Sequence, residues 1–433
     1  MKTFFKNIAT SKLFKVASLN SFSILIKLIT GIFTSKALAV FVGPEGLALF
    51  GNFRNFITAT QSVSTLGVSA GVVKYVSEFK FKVFRLSKTI STVASLILVS
   101  TVIVSVFCYV FANTLSEFIF GGDTDYALLI KLFSMTLPFY AFSSIAISVI
   151  NGFSHYKTVL KITIIAQILV TVYTLVLIWK QELEGALTAL ATSQAILFFI
   201  VLFWVVRGKQ FFKLIKFRKI NYKNLKLLSS FSIMALSTAL LIPFVQIEIR
   251  NYIMDTISAE SAGFWEAILR VSNYYLLFIS TLLALYILPR FSELNTDMAF
   301  RNEVFNFYKT ILPFFIIGLI IIYVLRFLIV RLLFSEDFMP MTELFLWQEL
   351  GDVFKVLSLV ISYQFLAKRM FWHYMITEVV SLTILYATSI YCIDIFGVKG
   401  ATIGHCITFA VYFGIILMIF RRPLFFPLKT HDL

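Results

Sequence analysis

Charge is scarce in this chain and acid is scarcer still: Asp, Glu, Lys and Arg make up 14% of 433 residues, with 22 acids against 38 bases. With 59% hydrophobic residues and a mean hydropathy of +0.90, this composition excludes a soluble globular domain. The three cysteines, Cys108, Cys392 and Cys406, all fall in apolar stretches without paired spacing, which argues against a disulfide framework or a thiolate metal site. The four histidines, His155, His373, His405 and His431, lie in separate segments, so neither zinc nor a histidine base is expected. There is no glycine-rich phosphate loop, so ATP is not expected to drive the protein directly, and no cofactor is implied. The longest gap between apolar segments, residues 207–226, leaves no room for a soluble catalytic domain. Any function must therefore reside in the apolar segments themselves.

Those segments have membrane length. A spanning helix needs about 20 mainly apolar residues, and twelve such runs can be placed, at 17–41, 47–76, 87–113, 126–150, 156–179, 185–206, 227–254, 262–289, 304–330, 339–366, 371–393 and 398–420. The basic N-terminus runs straight into a full-length span with no small-residue cleavage site, so the first helix is expected to stay. The gaps alternate in charge. Lys2, Lys6, Lys12 and Lys15 precede the first span, Lys80, Lys82, Arg85 and Lys88 follow the second, and eight bases crowd residues 207–226. The intervening gaps hold only Lys180, Arg331 and Lys399, beside acids such as Glu45, Glu117, Glu182 and Glu260. By the positive-inside rule both termini are expected in the cytoplasm. The net charge of +16 is then accounted for by topology, and nucleic acid is not an expected partner.

The basic gap divides the chain into residues 1–206, a linker 207–226 and residues 227–433, with six spans on each side. Two parallel six-helix repeats related by an axis along the membrane normal are the natural reading. In each half a cation ends one span, Lys36 or Arg250, a glutamate marks the turn, and an arginine, Arg54 or Arg270, lies nine or ten residues further on.

Cations inside a span are costly and mark cavities or ion pairs. Residues three, four and seven apart share a helix face. On that basis Asn20, Ser23, Lys27, Thr30 and Thr34 form one polar stripe, and Arg54, Thr58, Gln61 and Thr65 form another. In the second half Gln246 accompanies Arg250, and Glu266, Arg270, Asn273 and Tyr274 share a face. Glu349, Asp352 and Lys355 follow at successive i+3 spacings, so Asp352 and Lys355 are expected to form a charge pair. Lys74 has Glu78 at i+4 near an inner end. The cation-rich first-half faces favour an anionic ligand.

Four stretches carry a family likeness. They are SKALAVFVGPEGLALFGNFRNFI from Ser35 to Ile57, GVVKYVSEF around Lys74, YILPRFSEL around Arg290, and LFLWQELGDVFKV around Asp352 and Lys355. In order and spacing the chain resembles the polysaccharide-lipid flippases of the MOP superfamily, on the branch that holds lipid III flippases and O-antigen translocases.

The resemblance implies an all-α polytopic membrane protein of the inner membrane, with twelve transmembrane helices in two six-helix lobes around a central cavity. It implies alternating access that carries an undecaprenyl-diphosphate-linked oligosaccharide outward without enzymatic chemistry. Substrate contacts would then fall to Lys27, Arg54, Gln61, Lys74, Arg250 and Arg270, and coupling to Glu266, Asp352 and Lys355. The expected partners are the glycolipid and membrane lipid, with a polysaccharide polymerase and a chain-length regulator as candidates, and the expected state is a monomer. A multidrug antiporter of the same superfamily would want an acid-lined first half, which is absent here. A membrane polymerase would want a large periplasmic loop, which is absent too.

Overall fold

The computed structural model describes residues 12–79, 81–122, 125–208, 225–294 and 296–426. Among these residues there is no strand, and nine helices are long and apolar enough to cross a membrane. The first is α1 (Lys12–Phe41). Next come α2 (Gly43–Ser64) and α3 (Ser69–Phe79), where one continuous span over 47–76 was expected. Neither counts among the nine, because Glu45, Asn52, Arg54, Asn55 and Gln61 dilute the apolar character of α2. The break between them has a backbone cause: Leu66 and Gly67 take positive φ of 53° and 59°, which no α-helix accommodates.

The chain continues through α4 (Val83–Val110), α5 (Ala112–Phe120) and α6 (Ala127–Gly152). The long α7 (Tyr156–Gly208) contains the expected fifth and sixth spans, with Glu182 at the turn at φ 47° and ψ −120°. Most of the basic linker lies outside the described residues.

The second half starts with α8 (Leu225–Thr256) and α9 (Ala259–Leu282). A π-helical stretch, Leu283–Ile287, joins α9 to α10 (Leu288–Glu293). Pro289 lacks an N–H and its ring crowds the carbonyl of Leu285, and the widened turn relieves both. Then come α11 (Asp297–Thr310), α12 (Leu312–Val324) and α13 (Arg326–Leu333), which interrupt the expected span 304–330 at Leu325. A 3-10 stretch leads into α14 (Phe345–Ala367), α15 (Phe371–Phe396), α16 (Lys399–Ile419) and α17 (Arg421–Phe425).

The chain forms two compact units, one of residues 1–42 and 52–243, the other of residues 43–51 and 244–433. One edge of the first unit thus falls at Pro243 within α8, and the first turns of α2 belong to the second unit. Val76, Ile90, Val93, Ile145, Val149 and Val201 lie in the core of the first unit. Ile279, Phe291, Phe300, Val356, Phe365 and Ile416 lie in that of the second. Large side chains such as Phe107, Phe199, Phe314, Trp372 and Met418 are exposed, as expected of lipid-facing positions.

Candidate functional site

The second unit holds two buried polar clusters, and α9 contributes to both. Ser258 caps this helix by accepting a hydrogen bond from the backbone N–H of Ser261 at 3.0 Å, which fixes its first turn. Helical spacing then puts Glu266 and Arg270 on one face. Glu266 receives two arginines: Arg250 of α8 donates to its Oε2 at 2.6 Å, and Arg270 donates from Nε to its Oε1 at 3.1 Å. Arg250 and Glu266 are fully buried and Arg270 is 6% exposed. The Arg250 guanidinium lies 5.2 Å from the centre of the Trp265 ring, and that of Arg270 lies 4.8 Å from Phe50. Helix α2 reaches this cluster through Gly51, where a Cβ would stand 2.6 Å from the Glu266 Oε2. Glu266 thus meets two guanidiniums away from water.

The second cluster surrounds Asp352 of α14. Its Oδ2 accepts from Ser272 at 2.5 Å, from Tyr275 at 2.6 Å and from Gln348 at 3.3 Å. Its Oδ1 lies 3.0 Å from Nε2 of His405 on α16. The expected Asp352–Lys355 charge pair is not formed among the described residues. The carboxylate turns toward α9 and α16, whereas the Lys355 ammonium sits 5.2 Å from the centre of the Phe409 ring. The reason is local. Gly351 lets α16 approach so closely that a Cβ there would overlap the His405 ring, and that approach delivers the imidazole to Asp352.

The structure thus brings together Arg250, Glu266 and Arg270, as expected in part, and replaces Lys355 with His405 as the partner of Asp352. His405, set aside in the sequence reading, is thus buried against Asp352. Among the described residues no group could hold a metal ion. Asn273 and Tyr274, expected beside Arg270, are exposed and half-buried, while the buried Ser272 and the half-buried Tyr275 reach Asp352.

In the first unit, Lys27 and Lys74 are exposed, and the Lys74 ammonium lies 5.8 Å from the Tyr75 ring. Arg54 is half-buried on α2, one turn before the exposed Thr58. Gln61 is buried and its amide nitrogen takes no hydrogen bond. The polar stripe of α1 turns inward, since Thr30 is buried and accepts from Gln167 of α7 at 3.0 Å, while the Asn20 side chain lies outside the described residues. Sequence spacing missed Gln167, as it did His405, because each meets its partner across helices.

Residues 13–295 match the family described as polysaccharide biosynthesis protein. Lipid III flippases of Escherichia coli strain K12 and Shigella flexneri are each 28% identical over 405 residues, covering 92% of this chain and 97% of theirs. Among solved structures, an inward-facing multidrug resistance MATE family transporter of the MOP superfamily aligns with a TM-score of 0.74 at 13% identity, over 93% of this chain and 95% of that one. The lipid II flippase MurJ in an inward closed conformation aligns at 0.65 and 16% identity, over 94% of this chain and 89% of its own. The fold is therefore that of the MOP superfamily transporters, all-α and multi-pass.

Proposed function

The chain belongs to the polysaccharide biosynthesis protein family, and from that membership we propose that it is a flippase for an undecaprenyl-diphosphate-linked oligosaccharide of the O-antigen or enterobacterial common antigen type. The observation that carries this reading is the buried cluster of Arg250, Glu266 and Arg270. Arg270 lies eleven residues into α9, about 16 Å along the axis at 1.5 Å per residue, which is mid-membrane depth. Two guanidiniums brought together at that depth suit a diphosphate, because arginine keeps its charge in a low dielectric and donates paired hydrogen bonds to phosphate oxygens. Arg54, Lys27, Lys74 and Gln61 of the first unit are the further contacts in this reading. Hydroxyl and amide groups such as Thr58 and Gln167 suit sugars, and the polyprenyl tail stays in lipid.

The proposed cycle is alternating access between two six-helix lobes in the inner membrane, with both termini cytoplasmic. The protein acts as a monomer that delivers the glycolipid to a polymerase and its chain-length regulator. Cysteine labelling tests the topology: Glu182→Cys should react with an impermeant maleimide from the periplasm, and reaction only from the cytoplasm overturns the arrangement.

The activity test uses reconstituted vesicles and an undecaprenyl-diphosphate-linked oligosaccharide. An impermeant glycosidase should lose access to at least half of the outer-leaflet glycan in protein-containing vesicles and to none in empty ones. If the vesicles leave the glycolipid in place and move an organic cation dye instead, the multidrug antiporter reading suggested by the MATE fold replaces this one.

A further inference from the structure

The Asp352 cluster has a donor and acceptor count that points to a mobile proton. An ionised carboxylate offers about four lone-pair sites, two on each oxygen; here Ser272, Tyr275 and Gln348 converge on Oδ2, and His405 meets Oδ1. His405 donates to Asp352 with its hydrogen on Nε2, which leaves a lone pair on Nδ1; in that tautomer the Gln348 amide nitrogen, 3.2 Å from the same Nε2, donates to Asp352 and not to the ring. Among the described residues Nδ1 takes no hydrogen bond. The neighbouring Gln348 Oε1 and Glu349 Oε1 are likewise buried without a partner, on side chains that are fully buried and 6% exposed. Such a site sets unpartnered acceptors beside a carboxylate that already holds four polar contacts. The lone pair of Nδ1 is a place for an added proton, with Asp352 beside the ring to hold the resulting imidazolium.

We propose that His405, held by Asp352, is the proton-binding site whose loading and unloading is coupled to glycolipid movement. The proposal deepens the flippase reading and rests on it for the cargo. In the loading step a proton from water adds to Nδ1 of the neutral ring. The product is an imidazolium whose Nε2–H still donates to the Asp352 carboxylate, and the reverse step returns the proton to water. No other bond is made or broken. The ionisable groups acting on the ring are Asp352 and Lys355 of α14, and those acting on Asp352 and its neighbours include Glu349, Arg326 of α13 and Tyr275 of α9. Helix α15, packed along α16, adds none that acts on the ring. Loading therefore adds one positive charge beside Lys355 in a buried setting, and Ser272 and Tyr275 transmit the change to α9.

Exchange of the histidine ring C–H for deuterium, followed by mass spectrometry, reads the protonation of each histidine separately. The full-length protein in lipid nanodiscs should show His405 titrating within about pH 5 to 9, the range open to an imidazole. Asp352→Asn should weaken its proton binding at least tenfold and leave His155 and His373 unmoved. A ring that does not titrate, or a midpoint indifferent to Asp352→Asn, overturns the proposal.

In vesicles, an imposed pH gradient should speed wild-type glycolipid movement at least tenfold over no gradient. That ratio should fall to near one in His405→Gln. A ratio that survives the substitution, or a response to a sodium gradient alone, also overturns it. If His405 titrates as expected while the wild type moves no glycolipid, the proton site stands and the flippase reading fails.

Discussion

Glu266→Gln is expected to cost about 3–5 kcal/mol of stability, the usual penalty for stripping a buried ion pair of one partner. The substitution keeps the shape of the side chain and removes the carboxylate that grips both Arg250 and Arg270. Two guanidiniums then face each other where water cannot solvate them. For a unit of this size the thermal midpoint should fall on the order of 10 °C, read by size-exclusion retention after heating. Arg250→Met should cost less, because it leaves Glu266 with Arg270 in a balanced pair and fills the volume with an apolar chain. If Arg250→Met proves the more damaging, the cluster is held by Arg250 packing on Trp265 rather than by charge.

Arg54→Ala is expected to reduce glycolipid transport between about thirty-fold and a few thousand-fold, the equivalent of the 2–5 kcal/mol lost when one partner of a buried charged hydrogen bond is truncated. Arg54 is the informative choice because it is half-buried, whereas changing Arg270 also disturbs Glu266. Arg54→Lys should restore only part of the rate, since an ammonium lacks the planar fork that matches two phosphate oxygens. Transport is compared at matched protein level in a flippase-deletion strain. A normal rate in Arg54→Ala assigns the residue to packing.

Much of this architecture was legible in the residues. Hydropathy located most of the long apolar helices, and the i+4 spacing of Glu266 and Arg270 predicted a contact that is present. The failures have specific causes. The second span was read as continuous because Leu66 and Gly67 are apolar or neutral in a hydropathy count, yet their positive φ splits it. Asp352 was paired with Lys355 because both lie on one helix face, but a single-helix face says nothing of what an adjacent helix offers. His405, fifty-three residues away, fits only because position 351 is glycine. A buried partner chosen across helices leaves no periodic trace, and that is the information the sequence lacked.

Helix α9 bears Glu266 and Arg270 for one cluster and Ser272 and Tyr275 for the other, so ten residues, nine rises or about 13.5 Å of rod at 1.5 Å each, touch both the proposed anion site and the proposed proton site. Thermodynamic linkage requires that whatever factor a proton imposes on glycolipid affinity, the glycolipid imposes on proton affinity in return. The titration midpoint of His405 should therefore drift when cargo binds, making a silent histidine an internal gauge of how full the transporter is.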